Sequence, residues 1–265
     1  MIFNNPLKKR WYGKDQLIGK GLKFHNADTR EDYHKHLREF GNRWRYSNKE
    51  IIYSYNELGY RTEELDYYRD KEFILVMGCS HTEGIALAED EVWHYPLRKQ
   101  FGVEILNAGV AGSGTDIQLM NSMLFLKNYN VRPKAVVIQW PNLSRFEYKG
   151  EHLAMNLMPV LVDNPFNDTT YEFDRMMKFY KVWISDNNDL THSQIFIETT
   201  RLMWKFANIP YYDFSIDSVS EKANELVLDC YNDQLCDRAR DLLHYGYESH
   251  FKVSQKVCDK LKNML

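Results

Sequence analysis

The chain has no long apolar run, only 4 cysteines in 265 residues, and little net charge. No stretch approaches the roughly 18 apolar residues that a membrane-spanning helix needs. The opening Met1-Ile2-Phe3-Asn4-Asn5-Pro6 lacks the apolar centre of an export signal. Cytoplasmic synthesis and no membrane partner are therefore expected. Cys79, Cys230, Cys236 and Cys258 fall at no metal-type spacing and give no reason to pair as disulfides, which fits a reducing compartment. A formal charge of −3 makes the whole chain a poor trap for a polyanion, so nucleic acid is not an expected partner. The Asn- and Tyr-rich composition is compatible with a phage or viral origin.

What the sequence does have is a core. With 44% hydrophobic and 14% aromatic residues, the chain can fill one large α/β domain. Its charge is unevenly spread, with 12 Lys/Arg against 5 Asp/Glu in residues 1–49 and an acidic excess thereafter. A basic N-terminal arm over residues 1–50 is expected to lie on or beside an acidic body at 51–265. Lys8-Lys9-Arg10-Trp11-Tyr12 and Arg43-Trp44-Arg45-Tyr46 mix cations with aromatics; such mixtures bind phosphates and stack on bases, and more commonly dock onto an acidic neighbour. His34-Lys35-His36 has no Cys or carboxylate at ligand spacing and reads as a solvated face of a helix between Thr29 and Phe40.

From Phe73 the pattern alternates. Phe73–Met77 suits a strand buried on both faces, Glu91–Phe101 a helix, and Val103–Leu106 a second strand. Asp116–Tyr129 follows as a helix with Leu119, Met123, Leu124 and Leu126 toward the sheet. Ala135–Trp140 reads as a third strand, Gln194–Thr199 a fourth, Arg201–Ala207 a helix, and Tyr211–Phe214 a fifth strand. Val219–Tyr231 and Ser249–Met264 read as closing helices. Strands separated by helices imply a parallel α/β/α sandwich of three layers. The excursion at 146–188, rich in Tyr, Trp, Met and Phe, suits either a helical cap over the site or amphipathic helices packed as core.

Open α/β sheets bind ligands beyond the carboxyl ends of their strands. The run Phe73–Met77 stops there on Gly78-Cys79-Ser80-His81-Thr82-Glu83-Gly84, which presents a hydroxyl at Ser80 between two glycines. Ser80 is a candidate nucleophile; capping a helix is its plainer role. Far along the chain, Asp241-Leu242-Leu243-His244 sets a carboxylate three residues before an imidazole, the arrangement that orients a general base. Other readings compete. Cys79 is a second candidate nucleophile. His250 is a second candidate base, although no acid precedes it by three residues. Gly109, Gly112 and Gly114 can cradle a phosphate, but the next strand ends Gln139-Trp140 without the acid that binds a ribose hydroxyl.

Taken together, the segments resemble the SGNH (GDSL-like) hydrolase family over roughly residues 51–265. Gly78, Ser80, Thr82 and Gly84 match the first block, with Cys79 where the family usually has an Asp. Asn107-Ala108-Gly109-Val110-Ala111-Gly112 matches the second, and Asp241, His244, Gly246 and His250 the last. Asn56-Glu57-Leu58-Gly59-Tyr60-Arg61 resembles a segment that often precedes the first strand. The resemblance implies five parallel strands in flavodoxin-like order and a serine esterase with Ser80, His244 and Asp241 as its triad. It implies the N–H groups of Ser80 and Gly112 as oxyanion donors, completed by an Asn of the third block. Pro141-Asn142-Leu143-Ser144-Arg145 offers Asn142 one residue early, and Arg145 as an alternative that can hold an anion; His81 and Arg145 are candidate substrate contacts. No metal or organic cofactor is implied. The expected substrate is a small acyl ester, with O-acetyl carbohydrate preferred. An acyltransferase using the same triad and a non-catalytic binding or virion-associated protein are the alternatives.

Overall fold

The structure is a computed structural model and describes residues 19–128, 131–149, 154–157, 171–215 and 237–265. In chain order its elements are β1 (Gly19–Leu22), α1 (Arg30–Phe40), β2 (Tyr53–Tyr55), β3 (Phe73–Gly78), α2 (Ser80–Glu83), α3 (Tyr95–Phe101), β4 (Glu104–Gly109) and α4 (Thr115–Asn128). There follow β5 (Ala135–Trp140), β6 (Phe146–Lys149), β7 (Ala154–Leu157), α5 (Tyr171–Ser185), α6 (Asn188–Phe206), β8 (Tyr211–Ser215) and α7 (Tyr247–Lys262).

Every residue of β3 is buried, as expected for a central strand of a parallel sheet covered on both faces. The sheet runs β4-β3-β5-β8, all parallel, with Met77 level with Ala108 on one side and Ile138 on the other. Alternate side chains of β3 serve different layers. Ile74 and Val76 join Leu97 of α3 and Val253, Val257 and Leu261 of α7, while Leu75 and Met77 join Ile117, Leu124 and Phe125 of α4 and Ile197 and Trp204 of α6.

The sheet has four strands among the described residues, not five. Gln194–Thr199, rich in β-branched residues, lies inside the 19-residue helix α6. Its buried positions Asp189, Ser193, Ile197, Thr200 and Trp204 recur at helical spacing, and that longer period overrides local β-propensity. The helix expected over Glu91–Phe101 is a 3-10 turn at Glu89–Glu91 followed by α3, with Pro96 in the first turn of α3. On α4 the buried residues are Thr115, Ile117, Gln118, Asn121, Ser122, Leu124 and Phe125, while Met123 is exposed. Expected helix Val219–Tyr231, the basic run at Lys8–Tyr12, Cys230 and Cys236 lie outside the described residues.

Residues 19–50 are built into the fold. β1 pairs antiparallel with β2, and Arg240 forms a buried ion pair with Asp28. His36 is buried with Nδ1 at 3.2 Å from the Arg240 carbonyl, so the expected solvated face of α1 does not include it. Arg45 and Lys49 both meet the carboxylate of Glu91. The 146–188 excursion supplies the β6–β7 hairpin and α5, which share a small apolar cluster of Leu157, Phe173, Met176, Met177 and Tyr180. No helix among the described residues is long and apolar enough to cross a membrane.

Candidate active site

Ser80 opens α2 directly beyond β3 and is 7% exposed. The turn beneath it is crowded. Gly78 has φ +158, and a Cβ there would meet Thr82 Oγ1 at 2.2 Å. Thr82 Oγ1 in turn donates to Gln139 Oε1 at 2.6 Å, tying the first block to the end of β5. Gly84 ends the helix in the left-handed region at φ +82, a conformation glycine adopts at little cost. Arg61, the last residue of the segment before β3, donates to the carbonyls of Gly84, Ile52 and Leu87, so it braces this turn from outside the site.

The second block folds around the same turn. Val110 N–H and the Ser113 hydroxyl both donate to the Gly78 carbonyl. A Cβ on Gly109 would meet Glu83 N at 2.4 Å, which explains a glycine at that contact. Gly112 follows with φ +77. Glu83, which the motif comparison left unassigned, is fully buried: its Oε2 accepts Ala111 N–H at 2.6 Å and its Oε1 accepts the Tyr55 hydroxyl at 2.9 Å. In the sequence, the signal for it was the one acid in the block Gly78–Gly84.

Asp241 and His244 come together as their spacing suggested. Leu242 adopts φ +58, a left-handed conformation that costs a non-glycine residue about 1 kcal/mol or more and turns the chain back on itself. Asp241 Oδ1 thereby accepts the N–H groups of Leu243 and His244, and Oδ2 lies 2.5 Å from His244 Nδ1. Burial raises the Asp241 pKa, but the His244 hydrogen bond, the His244 charge and the two backbone N–H groups outweigh it and hold the carboxyl below its usual value. The bond to a carboxylate fixes the proton on Nδ1 and leaves Nε2 as the basic nitrogen.

His81 connects the two halves. Its ring centroid lies 5.3 Å from that of His244, edge-on, 5.3 Å from Tyr245 and 6.0 Å from His250. Burial and the neighbouring His244, His250, Arg145 and Arg238 push its pKa well below the ordinary value, so the ring is neutral. His250 is enclosed: its Nδ1 accepts Trp93 N–H at 3.1 Å, and burial, then His244, lowers its pKa to about 3. A ring committed in this way holds the start of α7 against the segment between the 3-10 turn and α3 and is not free to serve as base. Cys79 is wholly buried behind Ser80.

The third block is built differently. Asn142 Oδ1 accepts Ser144 N–H at 2.9 Å, closing a local turn. Ser144 donates to Asp189 Oδ2, and Ser193 donates to the Leu143 carbonyl, so α6 anchors the loop from behind. The Arg145 carbonyl abuts Gly114, where a Cβ would meet it at 2.2 Å. Arg145 Nε is buried without an acceptor. The side chain borders a cavity of about 220 Å³ with Phe146, Trp183 and Asp189. No metal-ligand cluster exists among the described residues.

The chain is thus an α/β protein with a serine at a strand-to-helix turn and an aspartate-held histidine beside the next residue. No family model and no curated protein matches it. Among solved structures it is similar to AlinE4, an SGNH-hydrolase family esterase, at 13% identity over 74% of this chain and 97% of that one, with a TM-score of 0.38. It is also similar to a protein ascribed to the G-D-S-L lipolytic family from Desulfitobacterium hafniense DCB-2, at 14% identity over 71% and 98% of the two chains, with a TM-score of 0.34.

Proposed function

We propose that the protein is a serine esterase of the SGNH type acting on small acyl esters, with O-acetyl carbohydrate as the preferred class. The observation that carries this reading is the Asp241–His244 pair at 2.5 Å, edge-on to the residue that follows Ser80. His244 Nε2 takes the Ser80 proton as Oγ attacks the ester carbonyl, and Asp241 stabilises the imidazolium that forms. The N–H groups of Ser80 and Gly112, with the Asn142 amide, receive the oxyanion. His244 then returns its proton to the leaving alcohol, and water, activated by the same nitrogen, releases the acid from Ser80. Arg145 and His81 border the substrate, Arg145 offering its charge to an anionic group and His81 a neutral wall.

Turnover of p-nitrophenyl acetate by the wild type, Ser80→Ala and His244→Ala proteins tests the assignment. Both substitutions are expected to abolish release of p-nitrophenol above background; activity that survives both overturns it. Products formed with acceptor sugars present separate hydrolysis from transfer with the same triad.

A further inference from the structure

We infer that Glu83 is a positioning residue for the Ala111–Gly112 turn, and that Tyr55 and His25 make the N-terminal layer part of that support. The inference rests on the esterase reading for its catalytic consequence, but its geometry stands apart from it. Three groups converge on one buried carboxyl. Ala111 N–H donates to Oε2 at 2.6 Å and the Tyr55 hydroxyl to Oε1 at 2.9 Å, while His25 Nε2 lies 3.9 Å from Oε1. His25 Nδ1 accepts Ala27 N–H at 3.1 Å, so the proton of the neutral ring sits on Nε2, facing Glu83. All three are donors, and an ionised carboxyl is the side chain that only accepts. The Tyr55 hydroxyl is kept protonated by burial and by the Glu83 charge.

What this clamp holds is the Val110–Ala111 peptide, one peptide before the one that carries the Gly112 N–H. An oxyanion donor contributes only if it already points at the place where charge develops, and Gly112 sits at φ +77 in a turn whose preceding N–H is fixed by Glu83. Glu83 itself is held at its backbone: its N–H donates to the Cys79 carbonyl, and its nitrogen lies 2.4 Å from where a Gly109 Cβ would be. The side chain therefore sets the distance between the turn carrying Ser80 and the turn carrying Gly112. Glutamine at position 83 keeps the shape but brings an NH2 group against a cluster of donors, leaving one of them opposed.

Glu83→Gln, with Tyr55→Phe and the double variant, tests this by amide hydrogen exchange and steady-state kinetics on p-nitrophenyl acetate. Folded Glu83→Gln is expected to exchange the Ala111 amide about ten-fold faster or more, with strand amides such as Ile138 unchanged. Its kcat is expected to fall about ten- to a hundred-fold with KM within about two-fold, the pattern of a group that acts through the transition state. Adding Tyr55→Phe removes the opposed donor and is expected to recover part of the loss. A folded Glu83→Gln protein with wild-type exchange at Ala111 and wild-type kcat overturns the inference. If the wild type itself turns over no ester, the esterase reading fails and the exchange at Ala111 alone decides whether Glu83 holds the turn. Should Glu83→Gln not fold, Tyr55→Phe carries the test, with a smaller change in the same direction expected and no change counting against it.

Discussion

The turns that follow β3 and β4 and the loop that follows β5 border the same sheet edge, and they are finished to different degrees. Around Ser80 and Gly112 the chain packs on itself, Gly78 against Thr82, Thr82 on Gln139, Gly109 against Glu83 and Glu83 on Ala111, with Gln139 Nε2 and Gln118 Oε1 also buried without a hydrogen-bond partner. The loop Pro141–Arg145 is anchored from behind by Ser193 and Asp189, yet it presents Arg145 with a buried Nε that has no acceptor. A buried N–H without an acceptor costs free energy. The first region is a frame of turns packed on one another, and the second ends in a charged side chain at the edge of a cavity.

The largest effect is expected inside the frame. Asp241→Asn preserves the size of the side chain but presents an amide to His244, favouring the wrong tautomer. A kcat loss of about a thousand- to ten-thousand-fold on p-nitrophenyl acetate, with little change in KM, is expected. A loss below about ten-fold would show that the 2.5 Å contact is structural and that the frame is not catalytic. Ranked by size, Glu83→Gln comes next.

The rim gives a different signature. If Arg145 faces bound substrate, Arg145→Gln weakens inhibition by the acetate product by about ten-fold, the worth of one charge-assisted hydrogen bond, and raises KM more than it lowers kcat. Acetate inhibition unchanged from wild type would place the guanidinium away from the site and remove the contrast between frame and rim.

The residues explain how far the sequence could be read. β3 and β5 were legible because a strand buried on both faces is a largely continuous apolar run, and Asp241–His244 because three residues of spacing suffice for one turn. α6 was not, since Gln194–Thr199 carries strand-forming residues and only the buried spacing from Asp189 to Trp204, a tertiary property, makes it a helix. The strand expected at Gln194–Thr199 is helical for that reason. Glu83 was hidden because its partners, Tyr55 and Ala111, lie 28 residues away on either side. His250 matched a motif position, but its role depends on Trp93, 157 residues distant.

The smallest effect concerns stability, and it distinguishes enclosed rings of the frame from groups open to ligand. His250 and His94 are both buried, which lowers each pKa to about 3. Their unfolded counterparts take up protons below about pH 6.5. Between those values the unfolded state binds more protons than the folded state, so stability is lost as pH falls from about 6.5 toward 3, at no more than about 1.4 kcal/mol per pH unit for each ring. Asp241, depressed when folded, adds its own loss only below its unfolded pKa of about 4. Asparagine at position 250 can accept Trp93 N–H as Nδ1 does and cannot titrate. In urea unfolding at pH 7, 5.5 and 4.5, His250→Asn is therefore expected to be less stable than wild type at pH 7 but to lose stability more slowly with acid. Parallel curves for the two proteins would mean that His250 takes up its proton without leaving the fold, and that this side of the frame is more open than its packing indicates.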